Sequence, residues 1–214
     1  MPENLTQTSP IAMNPIGFVE SPFREKFGIP RQPGLLAEIE STLVFQAPYG
    51  TAHAFRHLSG FSHLWIHFVF HAVNKETFMP LVRPPRLGGN AKVGVFASRS
   101  THRPNRIGLS VGKVLEIEHH PKDLTTITVA GLDILHGTPI LDIKPYLTWS
   151  DSVAAHENGF AQAPPVQTLK VAWTEKAQLQ AERLKLTTKE RSTIEGVLAL
   201  DPRPAYHASS PDRI

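Results

Sequence analysis

The chain has 214 residues, 41% of them hydrophobic, with 22 Lys and Arg against 19 Asp and Glu and no cysteine. That length fits one large domain, or one of about 150 residues plus a small second one, and a mean hydropathy of -0.17 with no apolar run near the ~18 residues of a spanning helix excludes a disordered chain and a helical membrane span. The missing cysteines exclude disulfides, thiol nucleophiles, thiolate zinc sites and cysteine-ligated iron–sulfur clusters.

Residues 1–15 carry neither a basic region nor an apolar core of the kind a secretory signal needs, so a disordered leader and a cytoplasmic location are expected. Residues 16–20 form a short apolar stretch ended by Ser-Pro, a first strand. The Gly- and Pro-rich run 23–34 reads as a loop. Residues 36–45 set Ala37, Ile39, Leu43 and Phe45 against Glu38, Glu40 and Thr42, the pattern of a half-buried strand. Residues 64–70 alternate more clearly, with Leu64, Ile66, Phe68 and Phe70 on one side and Trp65, His67 and Val69 on the other. Further strands are expected over 93–97, 107–117 and 125–129. The first 147 residues therefore read as mainly β, short strands closing into a barrel or a sandwich. After a linker at 161–165, residues 168–174 alternate as a strand. A helix capped by Thr174 follows over 175–184. Thr187 and Glu190 have capping-box spacing for a second helix reaching about Leu198. Residues 166–206 thus read as a small α/β unit behind a domain at 16–150, with an extended DPRPAY tail.

Charge is unevenly spread. Between Thr77 and Leu115 the ionised side chains are Arg83, Arg86, Lys92, Arg99, Arg103, Arg106 and Lys113, with no Asp or Glu, whereas residues 151–214 hold eight acids and eight bases. An acid-free basic segment interleaved with Gly and Pro is the footprint of a phosphate- or carboxylate-bearing partner, though a solvated basic face would look the same. Within it, Ser98–Asn105 is rich in hydrogen-bond donors between two strand ends, suiting an anion or nucleotide pocket. His63, His67 and His71 are four apart. On a strand this spans about 13 Å, too far for one ion, so no metal site is expected. Asp133 and Asp142 sit in apolar surroundings and need partners, and Lys144 falls on the same strand face as Asp142. Asp and His pairs leave a hydrolase open in principle. However, there is no G-x-S-x-G, Walker A loop or HExxH, and no G-x-G-x-x-G follows a strand.

Five ordered stretches, IGFVESPFREKFGIPRQPGL from Ile16, GFSHLWIHFVFH from Gly60, RPPRLGGNAKVGVFASRSTHRPNRIGLS from Arg83, GLDILHGTPILDIKPYL from Gly131 and DPRPAY from Asp201, resemble the TsaA-like family, also called the TrmO family, of S-adenosylmethionine-dependent tRNA methyltransferases. The resemblance implies an N-terminal β-barrel that binds S-adenosylmethionine without a Rossmann fold, a homodimer with the cofactor near its interface, and a C-terminal domain that assists tRNA binding. The implied reaction is methylation at N6 of N6-threonylcarbamoyladenosine, at position 37 beside the anticodon of threonine tRNA. Neither a membrane nor DNA is an expected partner. By motif, the cofactor would be contacted by Pro30, Arg31, Gln32, His71, Ala72, Arg99 and Leu109, and by the run Ala130, Gly131, Leu132 and Asp133. The family usually has Asp where this chain has His136. Asp133 and His136 are the candidates for accepting the substrate proton, beside a group of the substrate itself.

Arg83, Arg86, Arg103, Arg106 and Lys144 would meet tRNA phosphates, and Phe23, Phe27 or Tyr206 would stack on exposed loop bases. A non-catalytic RNA- or nucleotide-binding module using the same basic segment is the alternative.

Overall fold

A computed structural model describes residues 10–73, 78–88, 90–154, 157–165 and 169–203. Eight strands are present among them: β1 (Gly17–Glu20), β2 (Glu40–Phe45), β3 (His63–Val69), β4 (Leu81–Val82), β5 (Val93–Gly94), β6 (Ile107–His120), β7 (Leu124–Ala130) and β8 (Pro139–Pro145). Six of them close a barrel in the order β1-β2-β7-β6-β3-β8, with β1 paired to β8 at the seam. Every neighbouring pair is antiparallel.

The alternation seen in the sequence builds this barrel directly. On β3, Leu64, Ile66 and Phe68 are buried, while His63, Trp65, His67 and Val69 face outward. Val19, Leu43, Phe45, Ile127, Val129 and Ile140 fill the same interior from the other strands. A barrel this small has little room, and Gly108 on β6 supplies some: a Cβ there would lie 2.3 Å from the Phe68 ring. The register shifts between Val114 and Glu116 where β6 pairs with β7, and β6 continues to His120, so the strand outlasts the expected 107–117.

Two expected strands are shorter than their sequence pattern. Residues 36–39 turn instead of pairing, because Leu36 and Ile39 leave the barrel and join Phe23 in a second buried cluster. Over 93–97 only Val93 and Gly94 pair, with β4, in a two-stranded ribbon outside the barrel. Val95–Ala97 winds into one 3-10 turn, and the Val95 carbonyl is taken by Ser98 Oγ at 2.9 Å and Arg103 Nη1 at 3.3 Å rather than by a strand.

Three helices follow β8: α1 (Thr148–Asp151), α2 (Glu175–Arg183) and α3 (Thr188–Ala199). Both anticipated caps form. Thr174 Oγ1 accepts from Ala177 N–H at 3.2 Å, and Thr187 and Glu190 make a reciprocal capping box on α3. The strand expected over 168–174 does not form among residues 169–174, which find no sheet edge. They run along α3 instead, with Leu169 N–H donating to the Ala199 carbonyl at 3.3 Å and Trp173 Nε1 donating to Glu195. Helix α3 packs on the 23–39 loop: Val197 and Leu200 cover Phe23, Leu36 and Ile39. Gly196 permits the approach, since a Cβ there would come within 2.8 Å of Leu36.

Candidate functional site

The loop after β1 and the end of β7 are stitched together at one rim of the barrel. Gly34 N–H donates to the Gly131 carbonyl and Gly131 N–H to the Ile39 carbonyl, both at 2.8 Å. Gly131 needs a φ of 80° to make that turn, a conformation glycine adopts without strain. The stitching sets Gly34 and Ala37 against Gly131, in the same loop as Gln32 and the buried Pro30. A third segment reaches the same place, for Arg99 Nη1 donates to Gln32 Oε1 at 2.5 Å. A fourth comes from β6, where Ser110 Oγ donates to Asp133 Oδ1 at 2.6 Å. Three charged or amide side chains distant in sequence therefore converge.

Electrostatics mark Asp133 as the unusual member. Burial pushes its carboxyl above the ordinary range, and the Ser110 hydroxyl, its own backbone amide and the Arg99 guanidinium only partly offset this. Arg99 is thus close enough to Asp133 to act on it, so the cation cluster anticipated from the sequence is opposed by a carboxylate here.

His71 and His136 lie on neighbouring turns. The His71 ring nitrogen Nδ1 pairs with Thr138 Oγ1 at 3.2 Å, and its pKa is lowered, first by burial and then by the nearby Lys26 ammonium. Ala72 follows it, half-buried. His136 has a scaffold role. Its Nδ1 accepts from Ser21 N–H at 3.3 Å, and its own N–H donates to the Phe23 carbonyl at 2.8 Å. With Nδ1 accepting, a neutral imidazole carries its proton on Nε2, which is then a donor and not an acceptor.

Other expected site residues lie apart from this cluster. Leu109 is on the outward face of β6, opposite Ser110, and its side chain is 51% exposed. Arg31 points toward the C-terminal segment, with Nη2 3.5 Å from the Arg203 carbonyl. Lys144 is ion-paired to Asp142 on β8, as the shared strand face predicted. It lies across from Trp65, four residues or about 13 Å along β3 from the end where the basic segment rejoins the barrel. Arg103 donates to the Ser98 carbonyl at 2.8 Å, and Arg106 to the Val73 carbonyl at 3.3 Å, so both help to shape their loop. Arg83 and Arg86 are exposed. Phe23 is unavailable for stacking, being buried under α3. Phe27 is 66% exposed, and Tyr206 lies outside the described residues.

The sequence reading passed over one feature. Beside β4 and β5 lies a cleft of about 520 Å³, lined by Phe78, Leu81, Arg83, Lys92, Ser100 and His102 among others. The signal was present in the chain, as Phe78 and Phe96 fall inside the acid-free basic segment, and aromatic residues interleaved with cations suit single-stranded nucleic acid.

Comparison with known proteins agrees across both parts of the chain. Residues 18–152 match the tRNA-methyltransferase O N-terminal domain and residues 166–214 the TrmO C-terminal domain. The chain is 46% identical to the tRNA (adenine(37)-N6)-methyltransferase of Escherichia coli strain K12, over 89% of this chain and 81% of that one. It is 44% identical to a putative S-adenosylmethionine-dependent methyltransferase, RcsF, of Pseudomonas aeruginosa, over 94% and 86%. A crystal structure of TrmO from Pseudomonas aeruginosa superposes with a TM-score of 0.72 at 37% identity, covering 93% of this chain and 84% of that one.

Proposed function

The chain belongs to the tRNA-methyltransferase O family, and on that premise we propose that it transfers a methyl group from S-adenosylmethionine to N6 of adenosine 37 in tRNA, the acceptor being the N6-threonylcarbamoyl form in threonine tRNA. The observation that carries this reading is the convergence of Gln32, Arg99 and Asp133 at the barrel rim. Their donor set fits the cofactor: a carboxyl to accept from hydroxyl or amino groups, a guanidinium for a carboxylate, and a tightly turned glycine backbone that a planar ring can approach. When bound, S-adenosylmethionine supplies a methyl group on a sulfonium sulfur, open to in-line displacement.

Catalysis of such a displacement is chiefly positioning. Arg99, held by Gln32, fixes one end of the site, and the Ser110–Asp133 bond fixes the other. The target nitrogen carries a carbonyl, which acidifies its proton and lessens the need for a strong base. Asp133 suits that acceptance better than His136, because burial raises its basicity while His136 spends Nδ1 on Ser21.

The protein acts as a homodimer in the cytoplasm on this reading. Supporting the first are exposed apolar side chains on β6, Ile107 and Leu109 at its start and Leu115 at the register shift. Supporting the second is the cysteine-free composition.

Mass spectrometry of tRNA nucleosides tests the reaction. A strain lacking the protein should lose one methyl group from its threonylcarbamoyl nucleoside and regain it on complementation. An unchanged nucleoside profile, with the purified protein binding tRNA but moving no labelled methyl, would replace this reading with a non-catalytic RNA-binding module.

A further inference from the structure

The basic segment does more than carry charge, because its backbone presents two faces. Arg99 turns to Gln32 and Asp133, whereas its neighbours Ser100 and His102 line the cleft beside the β4–β5 ribbon. The wall is held rigid by its own bonds: Ser100 N–H donates to Ser98 Oγ, His102 N–H to Ser100 Oγ, and Arg103 to the Val95 and Ser98 carbonyls. One short stretch of chain therefore separates the cleft from the cofactor residues. A residue advances the chain by about 3.3 Å, so the two places lie within the reach of adjacent nucleotides.

The cleft has the chemistry of a nucleotide subsite. Phe78 lines it and is 46% exposed; Phe96 lies beside the cleft rather than in its lining, is 72% exposed, and stacks on Phe78 at an interplanar angle of 27° with ring centroids 6.3 Å apart. The Arg103 guanidinium sits 5.8 Å from the Phe96 ring centre, backing it with positive charge. Arg83 and Lys92 line the same cleft and form no ion pair among the described residues. Large aromatic faces left open to water are costly unless something covers them. Uncompensated cations beside them select an anion with a planar group, the chemistry of an unpaired nucleotide of RNA.

Resting on the tRNA reading above, we propose that this cleft receives an unpaired anticodon-loop nucleotide flanking adenosine 37, with its base on Phe96 and Phe78 and its phosphate between Arg83 and Lys92. The site works by holding the loop open beside the cofactor residues, so that adenosine 37 can enter while its neighbour is stacked. It makes no chemical contribution of its own.

Phe96→Ala and Phe96→Trp separate this from other uses of the face. Binding of threonine tRNA is measured by filter retention at fixed salt, S-adenosylmethionine binding by calorimetry, and oligomeric state by sedimentation. Phe96→Ala should weaken tRNA binding at least five-fold, the lower end of what one stacked base contributes, with cofactor affinity and oligomeric state unchanged. Phe96→Trp should restore it. An anticodon stem-loop made abasic at a flanking position should lose the same factor with the wild-type protein and nothing further with Phe96→Ala. Unchanged tRNA affinity in Phe96→Ala overturns the proposal, as does a shift in oligomeric state, which would make the face a contact between protein chains. These readouts do not require methyl transfer, so failure of the proposed reaction would appear separately, as a wild-type protein that binds tRNA and methylates nothing.

Discussion

The barrel interior and the seam between the 23–39 loop and α3 are built in opposite ways. Twelve buried residues fill the barrel, nine of them on strands with an antiparallel neighbour on both sides; Phe55 comes from a 3-10 turn, and Leu132 and Ile134 from the segment after β7. The seam has three, Phe23, Leu36 and Ile39, covered by side chains some 160 residues later in the chain. Yet one of the residues that gather at the barrel rim hangs from the seam: Gln32 lies between Phe23 and Leu36, in a loop tied to Gly131 by two backbone bonds. Rigidity resides in one region, and part of the proposed cofactor contact hangs from the other. Local openings follow low contact density, so cofactor affinity should respond to the seam and global stability to the barrel.

Paired truncations put that division at risk. Ile66→Ala empties the middle of the barrel, where the side chain is fully buried, and should lower unfolding free energy by about 3–4 kcal/mol in urea titrations. Leu36→Ala should cost about 2 kcal/mol or less of global stability, because α3 can settle toward the gap. It should nonetheless weaken S-adenosylmethionine binding about tenfold by calorimetry, since the 28–34 loop loses its backing. Equal loss of stability in the two variants, with cofactor affinity intact in Leu36→Ala, would show that seam and barrel are one cooperative unit.

The two regions also differ in how far the sequence announced them. On β3, each inward residue packs inside the barrel, so period-two alternation was enough to place Leu64, Ile66 and Phe68. The capping box at Thr187 and Glu190 was likewise local, needing only a spacing of three. Ile39 misled because it continues the alternation of Leu43 and Phe45 on β2, and Leu36 was swept into the same expected strand, while the burial of both depends on a helix far along the chain. Phe23 misled for the same reason: nothing near it in sequence shows Val197 or Leu200. The convergence of Gln32, Arg99 and Asp133 joins segments 67 and 34 residues apart, as the positions themselves show. Only the resemblance to a family, not spacing or periodicity, put them in one site. His136 shows the reverse, since its motif position suggested chemistry and its bonds show scaffolding.

Asp133 sharpens the comparison, because it sits where the barrel end meets the seam. Its folded pKa is raised above the ordinary aspartate value. The folded protein therefore holds this proton more tightly than the unfolded chain does. The resulting stability is fully present below that value and is lost as pH rises through the folded pKa, so at neutral pH the ionised carboxylate weighs against the fold. Asp133→Asn keeps an oxygen for Ser110 and removes the charge. Its Tm should equal or exceed that of the wild type at pH 7, and the difference should shrink toward pH 4. Cofactor affinity should fall about tenfold, as expected when a charged hydrogen-bond partner is lost. A lower Tm at pH 7 with affinity unchanged would make Asp133 a structural acceptor for Ser110 and nothing more.

The smallest effect tests whether the seam is transmitted through α3 as a body. Thr187 closes the helix start, with Oγ1 accepting from Glu190 N–H at 3.2 Å and Glu190 Oε2 accepting from Thr187 N–H at 2.7 Å. The helix buries none of its residues fully, so its order leans more on this cap than that of a core helix would. Thr187→Ala should cost about 1 kcal/mol, seen in urea titration followed by circular dichroism. The cap lies more than two turns from Gly196, where α3 touches Leu36, and fraying at the first turn should leave that contact in place. Cofactor affinity in Thr187→Ala is therefore expected within about twofold of wild type. A loss as large as that of Leu36→Ala would mean that the first turn of α3, and not only its Gly196–Leu200 end, holds the loop in register.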